Sequence, residues 1–433
     1  MKDILERLIA DFQESVLPEL LSRRVLLKQM PGKVAVVAGM RRCGKTFFCY
    51  QQMRALEAAG SPRSSILYLN FEDERLLPFN TTDLDLLLDV YYAMFPESAT
   101  QGCWFFFDEI QRIPGWEMFL RRILDERRSR VVVTGSSAKL LSREIATSLR
   151  GRSLTTEMFP FSFREFLTFS GIAEPKGRVA STRGRAQMAH AVTQYLEAGG
   201  FPDVLRAPVG LRGEILRGYL DVVILRDVVE RHGVSNVTAL RALLRQILHS
   251  PGAKFSVNRF AGQLRAMGIP VAKNALYEFV EHLADAYLVF PVELHTRSVR
   301  QRQVNARKIY AIDTGLLRAV SLGITVDRGA LLENLVYLAL RRQGFQPDYY
   351  VTGTGHEVDF VYLDHDGQRQ LVQACWTVEA AATRQRELRA LTEAMRELGL
   401  GEAWLVTWLD EGEENGVRII PAWKWLLRSP ADG

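Results

Sequence analysis

Cysteine is scarce in this chain, and the few cysteines present match neither a metal site nor a disulfide framework. The 433 residues include four cysteines, Cys43, Cys49, Cys103 and Cys375, and their spacing fits no set of metal ligands. A zinc-binding module and a disulfide-stapled secreted domain are therefore excluded as classes. Free thiols in a reducing compartment are the simplest interpretation, and we expect a cytoplasmic protein.

Long apolar runs are also missing. No stretch reaches the roughly 18 consecutive apolar residues of a membrane-spanning helix. Residues 1–16 form an amphipathic helical pattern with acidic residues throughout, which is unlike a signal peptide. We therefore expect no membrane association. The composition, 47% hydrophobic and 24% charged, is that of an ordinary folded protein, and the length predicts two or three domains.

The strongest feature that is present is a complete phosphate-binding loop, GMRRCGKT, at residues 39–46. It follows a strand-like run, residues 33–38, and opens a helix-like stretch, which is the context that this motif requires. Lys45 is expected to bind the β- and γ-phosphates of ATP, and Thr46 to contact Mg²⁺. The residues expected to bind the nucleotide are Gly39, Arg41, Arg42, Cys43, Gly44, Lys45, Thr46 and Phe47.

Two acidic residues, Asp108 and Glu109, follow a second apolar run at residues 104–107. Ligands of open α/β sheets bind at the carboxyl ends of the strands, where these acids are expected. Asp108 would then hold Mg²⁺ together with Thr46, and Glu109 would polarise the water that attacks the γ-phosphate. The alternative is a strand that ends in two solvated acids.

A third strand-like run, residues 130–134, ends in Thr134 and is followed by Gly135, Ser136 and Ser137. Its polar end is expected beside the first two strands. Thr134, and with slightly less preference Ser136, is a candidate to hydrogen-bond the attacking water or the γ-phosphate. Ordinary turn chemistry is the alternative, because glycine and serine are common turn residues.

The patterns of strands and helices divide the chain into three predicted parts. Residues 1–165 alternate strands with helices, as in the parallel sheet of a P-loop ATPase core. Residues 166–310 are mostly helical, and residues 311–433 return to an α/β order. The predicted fold class is therefore α/β, with a parallel-sheet core, a helical middle domain and an α/β C-terminal domain.

Residues 256–289 have the pattern of a helix-turn-helix, and a strand, a basic stretch and a returning strand follow. This order describes a winged helix whose second helix would lie in a DNA major groove. The net charge is +5, and no acid occurs from residue 296 to 311. The alternative, favoured by Glu278 and Glu281 on the second helix, is a winged helix used for packing or subunit contacts. The expected nucleic-acid contacts are Lys273, Arg297, Arg300, Arg302 and Arg307.

Motifs along most of the chain carry a resemblance to a known family. Besides the phosphate-binding loop they are LNFED (69–73), FDEIQ (107–111), TGSSA (134–138), LRGR (149–152), PFSFREF (160–166), GGFP (199–202), DTGL (313–316) and EVDF (357–360). With these motifs the N-terminal part resembles the AAA+ P-loop ATPases. The whole chain is similar to a prokaryotic ATPase family that joins such a core to a C-terminal domain of unknown function.

This resemblance implies that the third part has a restriction-endonuclease-like fold. Active members of that nuclease group carry an acid on one strand and an E-x-K pattern on the next, and their carboxylates bind a divalent metal. Asp359 matches the first acid, and Glu333 is a candidate for a helix-borne acid. On the next strand Gln373 replaces the acid and the lysine is missing. We therefore expect a degenerate site used for binding, with Arg384 or Arg386 as candidates for a relocated cation.

Two arginines, Arg150 and Arg152, flank Gly151 and are candidates for an arginine finger. A guanidinium supplied by a neighbouring subunit stabilises the charge that develops on the γ-phosphate. A homo-oligomer is therefore expected. A salt bridge or a basic surface turn is the alternative role for these residues.

The sequence therefore predicts Mg²⁺-dependent ATP hydrolysis coupled to a conformational change in a nucleic-acid-associated machine, with DNA the favoured partner. The alternative is an ATP-controlled signalling or assembly switch that acts on a protein partner. A third hypothesis, an ATP-dependent nuclease, requires a metal at Asp359.

Overall fold

The computed structural model describes residues 1–126, 129–137, 149–175, 181–321 and 327–428, with only the backbone of Gln303. The chain divides into two compact units. The N-terminal unit comprises Met1–Phe159 with Asp285–Tyr287, and the C-terminal unit comprises Pro160–Ala284 with Leu288–Gly433. The residues predicted as the middle and C-terminal parts mostly lie in the second unit, and the division into three parts stays a prediction.

The N-terminal unit consists of a parallel sheet and helices. Its strands are β1 (Val34–Ala38), β2 (Ile66–Asn70), β3 (Cys103–Asp108), β4 (Ser129–Gly135) and β5 (Ser153–Glu157). Its helices are α1 (Lys2–Glu14), α2 (Lys45–Ala58), α3 (Asp83–Met94), α4 (Pro96–Gln101) and α5 (Trp116–Asp125). Short 3₁₀ turns occur at Arg63–Ser65, Glu74–Leu76 and Ile110–Arg112.

The five strands lie in the order β2-β3-β4-β1-β5, and every pair is parallel. Strand β1 is buried along its whole length, as its uninterrupted run of valine and alanine predicts for a sheet covered on both faces. Strand β4 lies between β1 and β3, with Val37 opposite Thr134 and Phe107 opposite Val133. The carboxyl ends of the three strands expected to carry the site therefore meet at one edge of the sheet.

The first half of the C-terminal unit is mainly helical. Its helices are α6 (Phe163–Phe169), α7 (Thr182–Ala198), α8 (Pro202–Arg206), α9 (Val209–Val222), α10 (Val237–His249), α11 (Val257–Ala266), α12 (Lys273–Asp285), α13 (Val299–Val304) and α14 (Thr314–Val320). A π-helical segment, Val223–Glu230, extends α9. Three short strands, β6 (Lys254–Phe255), β7 (Val289–Val292) and β8 (Arg307–Ala311), form an antiparallel sheet in the order β6-β8-β7.

Helices occur at both positions where the helix-turn-helix pattern places them. Ser256 caps α11 by accepting a hydrogen bond from the backbone N–H of Arg259, and α12 begins at Lys273. The basic stretch between β7 and β8 differs from the expected wing. It contains the short helix α13, because Ser298 accepts a hydrogen bond from the Gln301 N–H and caps a helical turn.

The second half of the C-terminal unit is a mixed sheet with helices. Its helices are α15 (Arg328–Arg342), α16 (Ala381–Leu398) and α17 (Ala422–Leu427). Its strands are β9 (Asp348–Val351), β10 (Glu357–Leu363), β11 (Arg369–Ala374), β12 (Ala403–Thr407), β13 (Gly412–Glu414) and β14 (Val417–Pro421). The strand order is β13-β14-β12-β11-β10-β9. Leu388 and Leu391 of α16 pack in one buried cluster with Val358, Leu371 and Leu405 of the sheet.

Within the ranges described above, every helix is too short or too polar to cross a lipid bilayer.

A glycine after α7 lies where a side chain cannot fit, and this gives a stability prediction. Gly199 has φ 72° and ψ −164°, and a Cβ atom added there would lie 2.0 Å from Asp313 Oδ1. The buried Asp313 carboxylate accepts the N–H groups of Gly200 and Leu316 and cannot move freely. We expect Gly199→Ala to lower the free energy of unfolding by about 3 kcal/mol or more, measured by urea denaturation.

The matched control is Gly262→Ala on α11, where nothing lies within 4 Å of an added Cβ atom. In a helix this change is expected to be neutral or to stabilise by up to about 1 kcal/mol. Equal urea midpoints for the two variants would show that the contact between Gly199 and Asp313 does not limit this turn.

Candidate functional site

The P-loop joins β1 to α2 and has the backbone geometry that its glycines allow. Gly44 adopts φ 98° at the N-terminus of α2, and Arg42 also has a positive φ of 68°. Gly39 lies so close to the next segment that a Cβ atom would be 2.2 Å from the carbonyl oxygen of Met158. Cys43 is buried below the loop, and Phe47 is exposed on α2. Arg41 forms an ion pair with Glu72 at 2.8 Å.

Lys45 is buried and is bound to its own loop. Its Nζ atom donates to the carbonyl oxygens of Gly39 and Met40 at 3.0 and 3.3 Å, and it lies 3.3 Å from Glu109 Oε1. Burial lowers the pKa of Lys45, but the charge of Glu109 and further contributions from Cys43 and Asp108 outweigh it and hold the pKa above its ordinary value. The ammonium is therefore charged, and one of its partners is a carboxylate that a phosphate oxygen can replace.

Asp108 is the buried acid at the end of β3 and is held by three hydroxyl groups. Thr46 Oγ1 donates to its Oδ2 at 2.7 Å, Tyr68 donates to the same oxygen at 3.1 Å, and Thr134 donates to Oδ1. Burial and the adjacent Glu109 charge raise the pKa of Asp108. A hydroxyl beside a carboxylate is the kind of oxygen donor set that Mg²⁺ takes in nucleotide sites, so Thr46 and Asp108 fit this ion.

Glu109 has a left-handed backbone, with φ 54° and ψ 40°, directly after the strand. This conformation is uncommon for a residue other than glycine. Its N–H donates to Thr134 Oγ1 at 3.1 Å, and its carboxylate accepts from Gln111 and pairs with Lys45. Burial raises the pKa of Glu109, but Lys45, Gln111 and Arg41 together outweigh it and lower the pKa below its ordinary value. The carboxylate is therefore charged, as a group that polarises water must be.

Thr134 thus joins the two acids, and its candidate role gains a geometric basis. The same hydroxyl donates to Asp108 and accepts from the Glu109 backbone. Ser136 and Ser137 are buried after Thr134, whereas Ala138, the last residue of the TGSSA motif, lies outside the described residues. The candidate fingers lie in the same unit: Arg150 is exposed with φ 51°, and Arg152 forms an ion pair with Asp125.

Sequence reasoning missed Arg23, which supports the P-loop from below. Arg23 is 6% exposed, and its guanidinium donates to the carbonyl oxygens of Cys43 at 2.8 Å and Phe159 at 2.7 Å. Its backbone is fixed by the amide of Gln51, which accepts from the Arg23 N–H and donates to the Arg23 carbonyl oxygen. An arginine 20 positions before the cysteine that it contacts has no local sequence signal.

The residues expected to contact nucleic acid fall into two groups. Lys273, Arg297 and Arg300 are exposed. Arg302 is bound to Asp348 at 3.2 Å and Glu293 at 3.6 Å, and Arg307 is bound to Glu281 at 2.6 Å and Glu293 at 3.3 Å. Part of the positive charge of this stretch is therefore neutralised by acids of the same unit.

The structure brings together the three residues of the expected degenerate site, and a lysine enters their centre. Lys308 contacts Glu333 and Asp359, while Gln373 Oε1 accepts the N–H of Asp359 at 2.9 Å. Arg384 and Arg386, the candidates for a relocated cation, do not contact Asp359; Lys308 does. Arg384 pairs with Glu414 and Arg386 with Glu387, because both arginines lie on the helix beside those acids.

Models of three known domains together match most of the chain. A model described as an AAA domain matches residues 31–167. Two models described as domains of unknown function, DUF8612 and DUF4143, match residues 189–328 and 328–425. The first match contains the P-loop, both acids and Thr134, and it identifies the N-terminal unit as a P-loop nucleotide-binding core of the AAA type.

Two relatives match this chain over nearly their whole length. An uncharacterized protein of Methanocaldococcus jannaschii is 34% identical, and the match covers 94% of this chain and 91% of that protein. An uncharacterized protein of Haemophilus influenzae is 26% identical, with 91% of this chain and 94% of that protein covered.

Two solved structures are similar at lower sequence identity. A Walker-type ATPase of Pyrococcus abyssi has a TM-score of 0.42 and 13% identity, with 66% of this chain and 90% of that chain covered. The Aeropyrum pernix ORC1 protein in complex with DNA has a TM-score of 0.31 and 16% identity, with 74% and 92% covered. At these scores neither similarity assigns a function to this chain.

We expect Arg23→Ala to weaken nucleotide binding by at least about tenfold, since a buried carbonyl that loses its donor costs about 1–3 kcal/mol. The P-loop would then lose the support that holds the Cys43 carbonyl. Titration of a fluorescent ATP analogue measures the effect, and Arg24→Ala, which removes an exposed neighbouring charge, is the matched control. Equal affinities of Arg23→Ala and the control would mean that the P-loop does not depend on Arg23.

Proposed function

This chain belongs to the family of AAA-domain proteins that includes the Methanocaldococcus jannaschii relative, and from this premise we propose that it couples ATP hydrolysis to a conformational change while bound to nucleic acid, with DNA preferred. The observation that carries the ATPase part is the convergence of Lys45, Asp108, Glu109 and Thr134 at one edge of the parallel sheet. Each of these residues has the charge or hydroxyl group that its role requires.

Exchange of partners at Lys45 is the first event that this geometry favours. An incoming γ-phosphate oxygen replaces Glu109 as the acceptor of the Lys45 ammonium, while the two loop carbonyls keep their contacts. The exchange frees one carboxylate oxygen of Glu109, and Gln111 still holds the other. Mg²⁺ held by Thr46 and Asp108 would neutralise phosphate charge.

Glu109 then orients the attacking water. Before the exchange, burial raises the pKa of Glu109, but Lys45, Gln111 and Arg41 outweigh it and hold the pKa below its ordinary value. The Thr134 hydroxyl fixes both the Glu109 backbone and the Asp108 carboxylate, so the two acids keep their separate roles. Orientation of a water by a fixed carboxylate is the usual contribution of such a residue to phosphoryl transfer.

The nucleic-acid part of the proposal is supported by the order of elements in the C-terminal unit. Helices α11 and α12 are followed by the antiparallel pair β7–β8, and β6 completes the small sheet, as in a winged helix. Arg297 and Arg300 are exposed between β7 and β8. The competing proposal, a switch that acts on a protein partner, is supported by the exposed Glu278 and Glu281 on α12.

Assembly of several subunits remains part of the proposal. Arg150 is exposed in the N-terminal unit, as a residue that acts on a neighbouring subunit must be. Arg152 is engaged with Asp125, so it would have to leave this ion pair to serve as a finger. Arg150 is therefore the better candidate of the two.

We expect Glu109→Gln to bind ATP at least as tightly as the wild type but to hydrolyse it at least about tenfold more slowly, because loss of a water-orienting base costs about 10²–10⁴ in rate. Lys45→Ala should instead lose affinity. The measurements are steady-state phosphate release and a binding titration, with Glu74→Gln, an exposed acid of the same unit, as control. Near-normal turnover by Glu109→Gln would remove Glu109 from the mechanism.

DNA binding is expected to depend on the two exposed arginines of the β7–β8 connection. Arg297→Ala combined with Arg300→Ala should weaken binding to all sequences alike and flatten the salt dependence by about 0.9 log units per lost phosphate contact. Fluorescence anisotropy across a salt series measures this slope. Arg183→Ala with Arg389→Ala, two exposed arginines of the same unit, controls for net charge. Coincident slopes for the wild type and the first variant would favour the protein switch.

A further inference from the structure

The C-terminal unit buries a lysine among three carboxylates. Lys308, on β8, is 3% exposed. Its Nζ atom lies 2.9 Å from Glu333 Oε1, 2.8 Å from Glu357 Oε1 and 2.8 Å from Asp359 Oδ1. Glu333 belongs to α15, and the other two acids belong to β10, so one ammonium joins three elements of the unit.

The geometry is that of an ammonium site. Convergent carboxylate oxygens also attract divalent cations, but Mg²⁺ and Ca²⁺ take oxygen ligands at about 2.0–2.6 Å. The three N–H donors of the Lys308 ammonium match three acceptors at the length of charge-assisted hydrogen bonds. A divalent cation in the same space would be repelled by the lysine charge. Within the described ranges, no group of three or more His, Cys, Asp or Glu side chains is arranged to hold a metal.

We propose that Lys308 takes the place of a metal ion in this carboxylate cluster. The six-stranded sheet of the C-terminal unit then anchors the small β6-β8-β7 sheet, and the cluster does not cleave phosphodiester bonds. The inference goes beyond the proposed ATPase and depends on none of its residues. The nuclease pattern has a lysine shortly after the position of Gln373, which this chain lacks. Lys308 of β8 supplies a cation to the cluster instead.

Each of the three acids has a second protein partner besides Lys308. Tyr310 donates to Glu333 Oε1 at 2.7 Å, and Lys254 forms an ion pair with Glu357. The backbone N–H of Ala374 donates to Asp359 Oδ2 at 3.0 Å. Each carboxylate thus has a further protein partner that holds it in position for the ammonium.

Gln373 fits the same interpretation. Its side-chain oxygen accepts the Asp359 N–H at 2.9 Å, and its amide nitrogen donates to Glu387 Oε2 at 2.9 Å. This pair of contacts needs one acceptor and one donor, which an amide supplies and an ionised carboxylate does not. The nuclease pattern has an acid at the position of Gln373. The amide is explained by its two hydrogen bonds, in which Gln373 does not act as a metal ligand.

The anchoring role follows from where the partners lie. Strand β8 pairs with both β6 and β7, whereas Asp359 and Glu357 belong to the six-stranded sheet. Loss of one member of a buried, hydrogen-bonded ion cluster is destabilising because the remaining charges are left unpaired. The Lys308 ammonium therefore joins the small β6-β8-β7 sheet to the six-stranded sheet through ion pairs.

The test is a titration of Mn²⁺ into the nucleotide-free full-length protein, followed by electron paramagnetic resonance. The wild type and Asp359→Asn are expected to bind the same amount of Mn²⁺. Lys308→Met, which keeps an unbranched side chain one atom shorter and removes its charge, is expected to bind about one additional ion. That gain should disappear in Lys308→Met combined with Asp359→Asn. Lys254→Met, which removes a half-exposed ammonium from Glu357 alone, is the matched control and should show no gain.

Two results would overturn the proposal: an Mn²⁺ ion that the wild type holds and Asp359→Asn loses, or a folded Lys308→Met that gains none. If Lys308→Met does not fold, the wild type still decides the question through its thermal midpoint in Mn²⁺ and in chelator. Equal midpoints support the lysine-filled cluster. A rise in Mn²⁺ that Asp359→Asn abolishes contradicts it.

Discussion

Burial of a lysine ammonium is the constraint on which both units of this chain depend. A charge removed from water is stable only when opposite charges and hydrogen-bond acceptors surround it. Lys45 faces one carboxylate and two loop carbonyls, and the proposed exchange replaces only the carboxylate. Lys308 faces three carboxylates from two other elements of its unit. The first arrangement suits a site that turns over, and the second suits a fixed joint.

The nucleotide site could be predicted because its signals are local. The P-loop, the two acids and Thr134 each follow an apolar run, and parallel strands bring such ends to one edge of the sheet. The position of β4 between β1 and β3 then decided that Thr134 would contact both acids. The N-terminal amphipathic helix was confirmed for the same reason, since Leu5, Ile9 and Phe12 share one buried face.

Contacts across long stretches of sequence could not be predicted. Lys308 meets Asp359 from 51 positions away, and Arg23 meets Phe159 from 136 positions away. Neither lysine nor arginine carries a local mark of such burial. The turn of helix in the basic stretch was missed because a single Ser298 cap is a weak signal among turn residues. Strand β13 was missed because its three residues contain no apolar side chain.

The two carbonyls that Arg23 binds belong to segments with different roles. Cys43 lies in the loop that surrounds phosphates, and Phe159 is the last residue of the first stretch of the N-terminal unit, just before Pro160. A single planar guanidinium thus binds both the P-loop and the last residue before the backbone leaves that unit. A shift of either carbonyl would therefore change the geometry of a hydrogen bond to the same guanidinium. One side chain, that of Arg23, thus couples the position of the P-loop backbone to the position of Phe159.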